Sequence, residues 1–251
     1  MIVDIFLVLY GLVTVALIYG AARQSNLQED QRWLKLSVLI PAKDEEESIG
    51  ACLDALFRQD YPVEDFEIIV INDQSTDHTV DRVLKRKNEF ANLSCIDVST
   101  DDNPLIGKSR AIGLGVETAK HEIIVMTDAD CRPNPNWLKT IAANFTDEVG
   151  VVSGITILQT NVKNRLFAIM QSIDWIFLLG AGSAAVGMGQ PISCIGSNLA
   201  FRKSLFNQIG GYKNLKFSVT EDLQLYKSLA KKTDAVFRFP MTRDILNYSL
   251  P

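Results

Sequence analysis

Acidic side chains follow three apolar segments of this chain at the points where those segments end. They include Glu45, Asp73, Asp128 and Asp130. Asp128 and Asp130 are separated by a single alanine, and their mutual repulsion makes such a pair costly unless a cation lies between them. Hard divalent ions, Mg²⁺ or Mn²⁺, bind carboxylate oxygens and bridge them to substrate phosphates. The pair therefore predicts a site for one of these two ions.

Two further polar segments have alternative interpretations. Residues 75–77, Ser-Thr-Asp, are typical of a helix start, where their oxygens accept hydrogen bonds from free backbone N–H groups. Lys108 stands at the opening of another predicted helix, where a cation beside N–H donors suits a phosphate. The alternative for Lys108 is an ordinary surface lysine.

The elements that must position these residues alternate along the chain. Apolar, β-rich runs at 36–40, 66–71, 93–98 and 123–126 are separated by segments with helical periodicity. This alternation predicts an α/β fold with a mixed, mostly parallel sheet flanked by helices. Ligands of such sheets bind beyond the carboxyl ends of the strands, where the acidic residues lie.

Composition and charge exclude several classes of protein. With 25 basic and 30 acidic residues among 251, the net charge is −5, so we expect no nucleic-acid partner. The hydrophobic share of 47% is that of a folded domain. The four cysteines form no C-x-x-C pair and only two histidines occur, which excludes zinc sites of the usual spacing.

The amino-terminal segment is predicted to be a transmembrane helix. Residues 5–22 are 18 uncharged, mostly apolar positions, close to the length that crosses a bilayer. A signal peptide is the alternative, but Asp4 stands where its basic region belongs. The positive charges, beginning with Arg23, follow the segment, which predicts that the rest of the chain is cytoplasmic. We expect a membrane helix over 1–23 in the plasma or inner membrane and a linker over 24–35.

Five short motifs occur in an order that resembles a known family. They are Pro-Ala-Lys-Asp-Glu-Glu at 41–46, Ile-Asn-Asp-Gln-Ser-Thr-Asp at 71–77, Gly-Lys-Ser-Arg-Ala at 107–111, Asp-Ala-Asp at 128–130 and Thr-Glu-Asp at 220–222. Together they resemble the processive-type, inverting family 2 glycosyltransferases, which have the Rossmann-like GT-A fold. The resemblance extends from about residue 36 to about residue 239. It implies a glycosyltransferase domain over 36–251, with a nucleotide-sugar-binding half (36–130) and an acceptor-binding half (131–251).

The resemblance also implies roles for single residues on the donor side. Pro41, Ala42 and Glu45 would line the base and ribose end of a nucleotide sugar. Asp73 would accept a hydrogen bond from the base, for which the imide N–H of uracil is a fitting donor. The remaining donor-side residues are Lys108 on the diphosphate, Asp130 as metal ligand, and Asp128 on the ribose or the metal. Cys131 matches no functional position and is expected to pack in the core.

Asp222 is the implied general base, because the acceptor hydroxyl must lose a proton as it attacks the anomeric carbon. The alternative is that Thr220 and the following acids only cap a helix over 223–230. Glu221 and Asn198 are the implied acceptor-side residues. Residues 175–201 carry no charge, and their five glycines and one proline predict a discontinuous, interfacial element near the membrane surface. A second membrane span is the alternative.

These observations predict a membrane-anchored, metal-dependent glycosyltransferase. It would move a sugar with inversion from a nucleotide diphosphate sugar, with UDP-sugars favoured, to a glycan or lipid-linked acceptor, in contact with membrane lipid. The alternatives are a non-catalytic nucleotide-binding membrane protein and a nucleotidyltransferase. A nucleotidyltransferase is expected to have a Gly- and Arg-rich phosphate loop after its first strand, and this chain has none there. Many relatives carry a Gln-x-x-Arg-Trp motif after the Glu-Asp pair, and the chain stops where it would begin, so we expect a truncated chain.

Overall fold

A computed structural model of the chain describes residues 2–25, 32–99, 105, 107–158, 165–215, 218 and 220–249. The strands are β1 (Leu36–Ala42), β2 (Phe66–Asn72), β3 (Leu93–Asp97), β4 (Ile123–Met126), β5 (Cys131–Pro133), β6 (Val149–Ser153), β7 (Ile155–Leu158), β8 (Leu199–Arg202), β9 (Val236–Arg238) and β10 (Leu246–Ser249). The α-helices are α1 (Ile2–Ser25), α2 (Ile49–Leu56), α3 (Thr79–Lys87), α4 (Gly107–Thr118), α5 (Trp137–Asn144), α6 (Arg165–Gly187), α7 (Lys203–Gln208) and α8 (Glu221–Lys232).

The main sheet confirms the predicted α/β architecture. Its strand order is β3-β2-β1-β4-β8-β6-β9, with β1 to β4 mutually parallel and β8 antiparallel to both of its neighbours. Residues of β1 alternate between two apolar clusters, since Val38 and Ile40 pack on one face and Leu39 on the other. Both faces are therefore covered by helices and loops, as a parallel sheet requires.

A smaller sheet lies beside the carboxyl edge of the main one. It has the order β5-β10-β7, with β10 antiparallel to β5 and parallel to β7. The main sheet takes β1 to β4 from the predicted donor half and β6, β8 and β9 from the predicted acceptor half. The two predicted halves thus share one sheet, so the predicted boundary near residue 130 does not separate two structural units.

The predicted apolar amino-terminal helix is present as α1. Residues Val3–Gln24 are long and apolar enough to cross a membrane, judged by length and composition. The backbone of α1 at Gly20 lies so close to Ala184 that a side chain there would overlap the Ala184 carbonyl. Gln24, placed by sequence in a linker, belongs to the helix, and its Oε1 accepts a hydrogen bond from Phe239 N at 2.9 Å. Most of the remaining predicted linker, 26–31, lies outside the described residues.

The segment 175–201 is discontinuous, as predicted, because α6 ends at Gly187 and β8 begins at Leu199; the break comes only after the glycines at 180 and 182, which lie inside the helix. Its glycines serve close packing: Gly182 faces Phe239 and Ser193, and Gly187 approaches Gly20. Within α6, these tertiary contacts outweigh the low helix propensity of the glycines.

Two hydrogen bonds fasten α6 to the domain. Trp175 Nε1 donates to Thr156 O at 2.8 Å, and Ser183 Oγ donates to Phe239 O at 2.6 Å. The segment Ile169–Gly187 is also long and apolar enough to cross a membrane. However, its carboxyl-terminal half is packed against the domain, with Leu179 only 2% exposed.

Candidate active site at the carboxyl edge of the sheet

A cleft of about 390 Å³ opens at the carboxyl ends of β1, β2 and β4. It brings together every donor-side residue that the sequence predicted, namely Pro41, Ala42, Glu45, Asp73, Lys108, Asp128 and Asp130. They converge because parallel strands deliver the loops that follow them to one edge of the sheet.

The loop after β1 is held by the loop after β2. Asp44 adopts a left-handed backbone (φ 54°), and its Oδ1 accepts a hydrogen bond from Thr76 N at 2.7 Å. Glu45 N donates to Thr79 Oγ1 at 2.7 Å. Asp77 Oδ1 accepts from Thr79 N at 2.9 Å, so the predicted capping role holds for Asp77, whereas the Ser75 and Thr76 hydroxyls bond to Asp44. These bonds fix the backbone of the cleft wall that carries Glu45.

Asp73 is buried and already has a cationic partner. Arg110 Nη2 donates to Asp73 Oδ1 at 2.6 Å, and the two side chains are only 14% and 10% exposed. The bond leaves Asp73 Oδ2 as an acceptor at the cleft. Arg110 also carries a buried Nε without a hydrogen-bond partner.

Lys108 joins the two sides of the site. Its Nζ lies 2.7 Å from Asp128 Oδ1 and 3.5 Å from Asp222 Oδ2. Burial lowers the pKa of Lys108, but the charges of Asp128 and Asp222 outweigh burial and hold that pKa above its ordinary value. The lysine is therefore a permanent cation between the strand-end carboxylate and the carboxylate on α8.

The carboxylate of Asp130 is oriented by two hydrogen bonds. Ser249 Oγ donates to its Oδ2 at 2.9 Å, and the thiol of Cys131 donates to its Oδ1 at 3.3 Å. Cys131 is fully buried, as expected of a packing residue, but it also contacts the predicted metal ligand. Burial raises the pKa of Glu45, and the charges of Asp130 and Asp128 raise it further.

The residues present fit a hard divalent cation. Within the described part of the chain, no three His, Cys, Asp or Glu side chains converge as a complete metal site. Mg²⁺ is commonly held by one or two carboxylates with substrate phosphates completing the shell. Asp128 and Asp130 supply carboxylates of that kind, and their charges add to the effect of burial in raising the pKa of Glu45.

Asp222 lies in the first turn of α8 at the wall of this site. Its side chain is 20% exposed, and Oδ1 is buried without a hydrogen-bond partner. Burial raises the pKa of Asp222 to about 6, against the opposing effect of Lys108. Thr220 stands at the N-cap of α8 with both acids in the first turn, as the capping alternative predicts, but its side chain makes no cap bond. A carboxylate with this pKa is suited to accept a proton near neutral pH.

The predicted acceptor-side residues have different surroundings. Glu221 is half-buried beside Asp222, and its charge contributes to the raised pKa of Asp222. Asn198 is only 1% exposed, and its side chain is engaged within the protein. Its Oδ1 accepts from Trp137 Nε1 at 2.9 Å, while its Nδ2 donates to Ile155 O at 2.9 Å and Ile245 O at 2.7 Å. The interpretation of Asn198 as an acceptor-contacting residue is therefore wrong; its role is structural.

Substituting Asn198 with Ala is expected to lower the free energy of unfolding by about 3 kcal/mol. The change strands one buried indole N–H and two buried carbonyls, each costing about 1–3 kcal/mol when left unpaired. Denaturant unfolding of the detergent-solubilised protein measures the effect. Asn207→Ala is the control, because Asn207 is exposed on α7. A loss for Asn198→Ala no greater than that of the control would contradict this role.

Sequence reasoning missed three residues of the site. Arg110 belongs to the motif at 107–111, but no partner was predicted for it, because Asp73, with which it pairs, is distant in the chain. Ser249 reaches Asp130 only because β10 pairs with β5. The Cα of Gly196 lies against the Asp222 carboxyl. A single sequence does not show that a glycine is needed for such a close contact.

A sequence model of glycosyl transferase family 2 matches residues 37–210, more than half of the chain. The chain belongs to glycosyl transferase family 2. The family assignment covers the cleft residues from Pro41 to Asp130 and the Gly196–Asn198 turn, while Asp222 lies just beyond the matched region. The predicted recognition is confirmed at the level of family 2 and the GT-A fold.

Two curated relatives match this chain over part of their length. YdaM of Bacillus subtilis (strain 168), a probable glycosyltransferase, is 28% identical over 194 residues, or 76% of this chain and 45% of YdaM. The dolichyl N-acetyl-alpha-D-glucosaminyl phosphate 3-beta-D-2,3-diacetamido-2,3-dideoxy-beta-D-glucuronosyltransferase of Methanococcus voltae is 32% identical over 154 residues, or 59% of this chain and 46% of that protein. The chain thus spans less than half the length of these two relatives.

Solved structures of glycosyltransferases share the fold. The mannosyltransferase PcManGT of Pyrobaculum calidifontis, in complex with GDP-Man and Mn²⁺, superimposes with a TM-score of 0.70 at 22% identity, covering 94% of this chain and 65% of that one. Residues 1–349 of S. aureus TarS, in complex with UDP-GlcNAc, give a TM-score of 0.59 at 20% identity, covering 87% and 59% of the two chains. At these identities the comparison establishes the fold alone.

Proposed function

We propose that the protein is an inverting glycosyltransferase that moves a sugar from a nucleotide diphosphate sugar to an acceptor hydroxyl. The observation that carries the proposal is the ion-pair chain Asp128–Lys108–Asp222, which places a cation between the donor cleft and a carboxylate whose pKa is about 6. Transfer needs those two groups, a cation for the leaving diphosphate and a base for the attacking hydroxyl.

Each group has one task in the reaction. Asp222 takes the proton of the acceptor hydroxyl as the hydroxyl oxygen bonds to the anomeric carbon. The bond between that carbon and the diphosphate oxygen breaks on the opposite face, so the anomeric configuration inverts. Lys108 stabilises the negative charge that develops on the departing diphosphate. A Mg²⁺ or Mn²⁺ ion held by Asp130 and Asp128 would supply further positive charge to the same diphosphate.

The donor is proposed to be a UDP-sugar. Asp73 Oδ2 is available at the cleft to accept the imide N–H of uracil, while Arg110 holds the other oxygen. Pro41, Ala42 and Glu45 form the wall beside it. Support also comes from TarS, whose structure contains UDP-GlcNAc, whereas the PcManGT structure contains GDP-Man. GDP is therefore the comparison nucleotide in the test.

Membrane attachment through α1 is part of the proposal. Its apolar side chains point outward, with Phe6 68% and Leu7 64% exposed, and its 24 residues make it about 36 Å long, enough for a bilayer core of about 30 Å. On α6, Ile173 and Phe177 are 60% and 71% exposed, which suits a helix lying at the membrane surface. The positive residues after α1 support a cytoplasmic position for the domain.

The acceptor is proposed to be a glycan or a lipid-linked sugar. The relative from Methanococcus voltae is named for action on a dolichyl phosphate sugar, and a domain held at the membrane surface would meet such acceptors there. Asp222 and Glu221, on α8, mark where the acceptor hydroxyl would bind.

Calorimetric titration of the detergent-solubilised chain with UDP and GDP, with and without Mn²⁺, tests the donor site. We expect UDP to bind more tightly than GDP and to bind more tightly with Mn²⁺ than without it. Sugar release or transfer from a panel of UDP-sugars to lipid and glycan acceptors then tests turnover. A folded chain that binds neither nucleotide would contradict the proposal.

The pH dependence of turnover follows from Asp222. Its pKa of about 6 means that the carboxyl is protonated, and unable to act as a base, below that pH. We expect kcat to fall about tenfold per pH unit below about pH 6 and to level off above it. Nucleotide affinity measured over the same range should not follow this profile. A kcat that stays constant from pH 5 to pH 8 would rule out Asp222 as the titrating base.

A further inference from the structure

We propose that the turn Gly196–Asn198 is a positioning element for Asp222, with the bare Cα of Gly196 as the surface against which the Asp222 carboxyl rests. The inference rests on the proposed role of Asp222 as base and assigns a function to a segment that sequence reasoning had placed at the acceptor. Neither Gly196 nor Asn198 is required to touch a substrate.

The contact between Gly196 and Asp222 leaves no space for a side chain. A methyl group on Gly196 would overlap Oδ2 and Cγ of Asp222 and lie 2.6 Å from Oδ1. Real Cβ atoms do not approach other heavy atoms this closely, so either the turn or the carboxylate would have to move. The backbone of Gly196 does not require a glycine, since its φ is not among the positive values of the chain. Close approach alone therefore explains the glycine.

The turn itself is held firmly on its other side. The three hydrogen bonds of Asn198 tie it to Trp137 on α5, to Ile155 on β7 and to Ile245 before β10. Ser197 Oγ lies 2.9 Å from Thr156 Oγ1, and Ser197 O accepts from Asn247 Nδ2 at 2.7 Å. With this many buried bonds the turn is less able to yield than the side chain that rests on it, so an added methyl is expected to displace Asp222.

The displaced group would be the carboxyl that Lys108 reaches. Asp222 Oδ2 lies 3.5 Å from Lys108 Nζ, at the outer limit of a hydrogen bond, and Oδ1 is enclosed without a hydrogen-bond partner. Cys194, two residues before the turn, contacts the backbone oxygen of Asp222 with its thiol at 3.7 Å. The position of the carboxyl therefore depends on packing rather than on strong bonds. Misplacing a catalytic group by about 1 Å costs about 100-fold in rate.

The test is Gly196→Ala in the full chain. We expect kcat to fall about 100-fold while the KM for the nucleotide sugar and the calorimetric affinity for UDP with Mn²⁺ stay within about twofold of the parent. Gly180→Ala is the matched control, because a methyl there comes no closer than 3.9 Å, to Met241. Unchanged kcat in Gly196→Ala would overturn the proposal.

A double-mutant cycle separates positioning from general damage. In an Asp222→Ala background the carboxyl is gone, so adding Gly196→Ala should cause no further loss of activity and should restore the unfolding midpoint that Gly196→Ala alone lowers. Additive losses would overturn the proposal. The cycle also distinguishes two failures: full activity of Asp222→Ala would overturn the base role itself, whereas an inactive Asp222→Ala with a fully active Gly196→Ala would overturn only the positioning role.

Discussion

Asp222→Asn is expected to lower kcat by about 10³-fold while leaving nucleotide affinity within about twofold of the parent. The amide has the shape of the carboxylate, so it keeps the contact with Gly196, but it cannot take a proton from the acceptor hydroxyl. The rate loss is of this size because positioned bases contribute about 10²–10⁴ to rate. Nucleotide affinity should stay nearly unchanged because Asp222 is half-buried beside the cleft and does not line it. Steady-state transfer assays and UDP calorimetry on one preparation provide both measurements.

The control for this variant is Asp234→Asn. Asp234 is an exposed carboxylate between α8 and β9, and the charge change is the same. Its kcat should equal that of the parent. Full transfer activity in Asp222→Asn would show that another group accepts the proton. A parallel loss of UDP affinity would show instead that Asp222 acts mainly by holding Lys108.

Asp130→Asn is expected to weaken Mn²⁺-dependent UDP binding by about 100-fold. The substitution removes an anionic oxygen ligand, and ligation by hard divalent ions depends on such charges. Binding measured without Mn²⁺ should stay within about twofold of the parent, because the base and ribose wall is unchanged. Calorimetry over a series of Mn²⁺ concentrations separates the two contributions.

The matched control is Asp81→Asn, whose parent side chain is 77% exposed on α3 and does not line the cleft. It should bind UDP and Mn²⁺ as the parent does. If Asp130→Asn binds UDP with undiminished affinity at every Mn²⁺ concentration, Asp130 is not a metal ligand. Asp128→Asn would then be the next variant, with its ion pair to Lys108 taken into account.

Sequence patterns predicted the sheet because strand and loop signals are local. The apolar runs that became β1, β2, β3 and β4 needed only their own residue types to be recognised, and the parallel order follows from the helices between them. The carboxylates after three of these runs could be assigned to one cleft for the same reason. The sequence therefore predicted which residues come together in the cleft.

The helix α6 shows that local signals predict a break without fixing its position. The glycines of the segment 175–201 have a low helix propensity, which predicted a break, but the helix continues to Gly187, whose backbone lies so close to Gly20 that a side chain there would overlap it. Asn198 shows the same limit for polar residues. Its buried bonds to Trp137 and Ile245 join segments far apart in the chain, and those bonds decide that it is structural.

The sequence by itself determined the fold class, the family and the identities of the residues that line the cleft, because these depend on local periodicity and on short ordered motifs. Only the tertiary structure decided how the charges are connected. Lys108 lies between Asp128 and Asp222, and Arg110 holds Asp73, because the ends of β2 and β4 meet α4 and α8 at one edge of the sheet. These ion pairs, and the close contact between Gly196 and Asp222, arise from packing between distant segments, which no local pattern encodes.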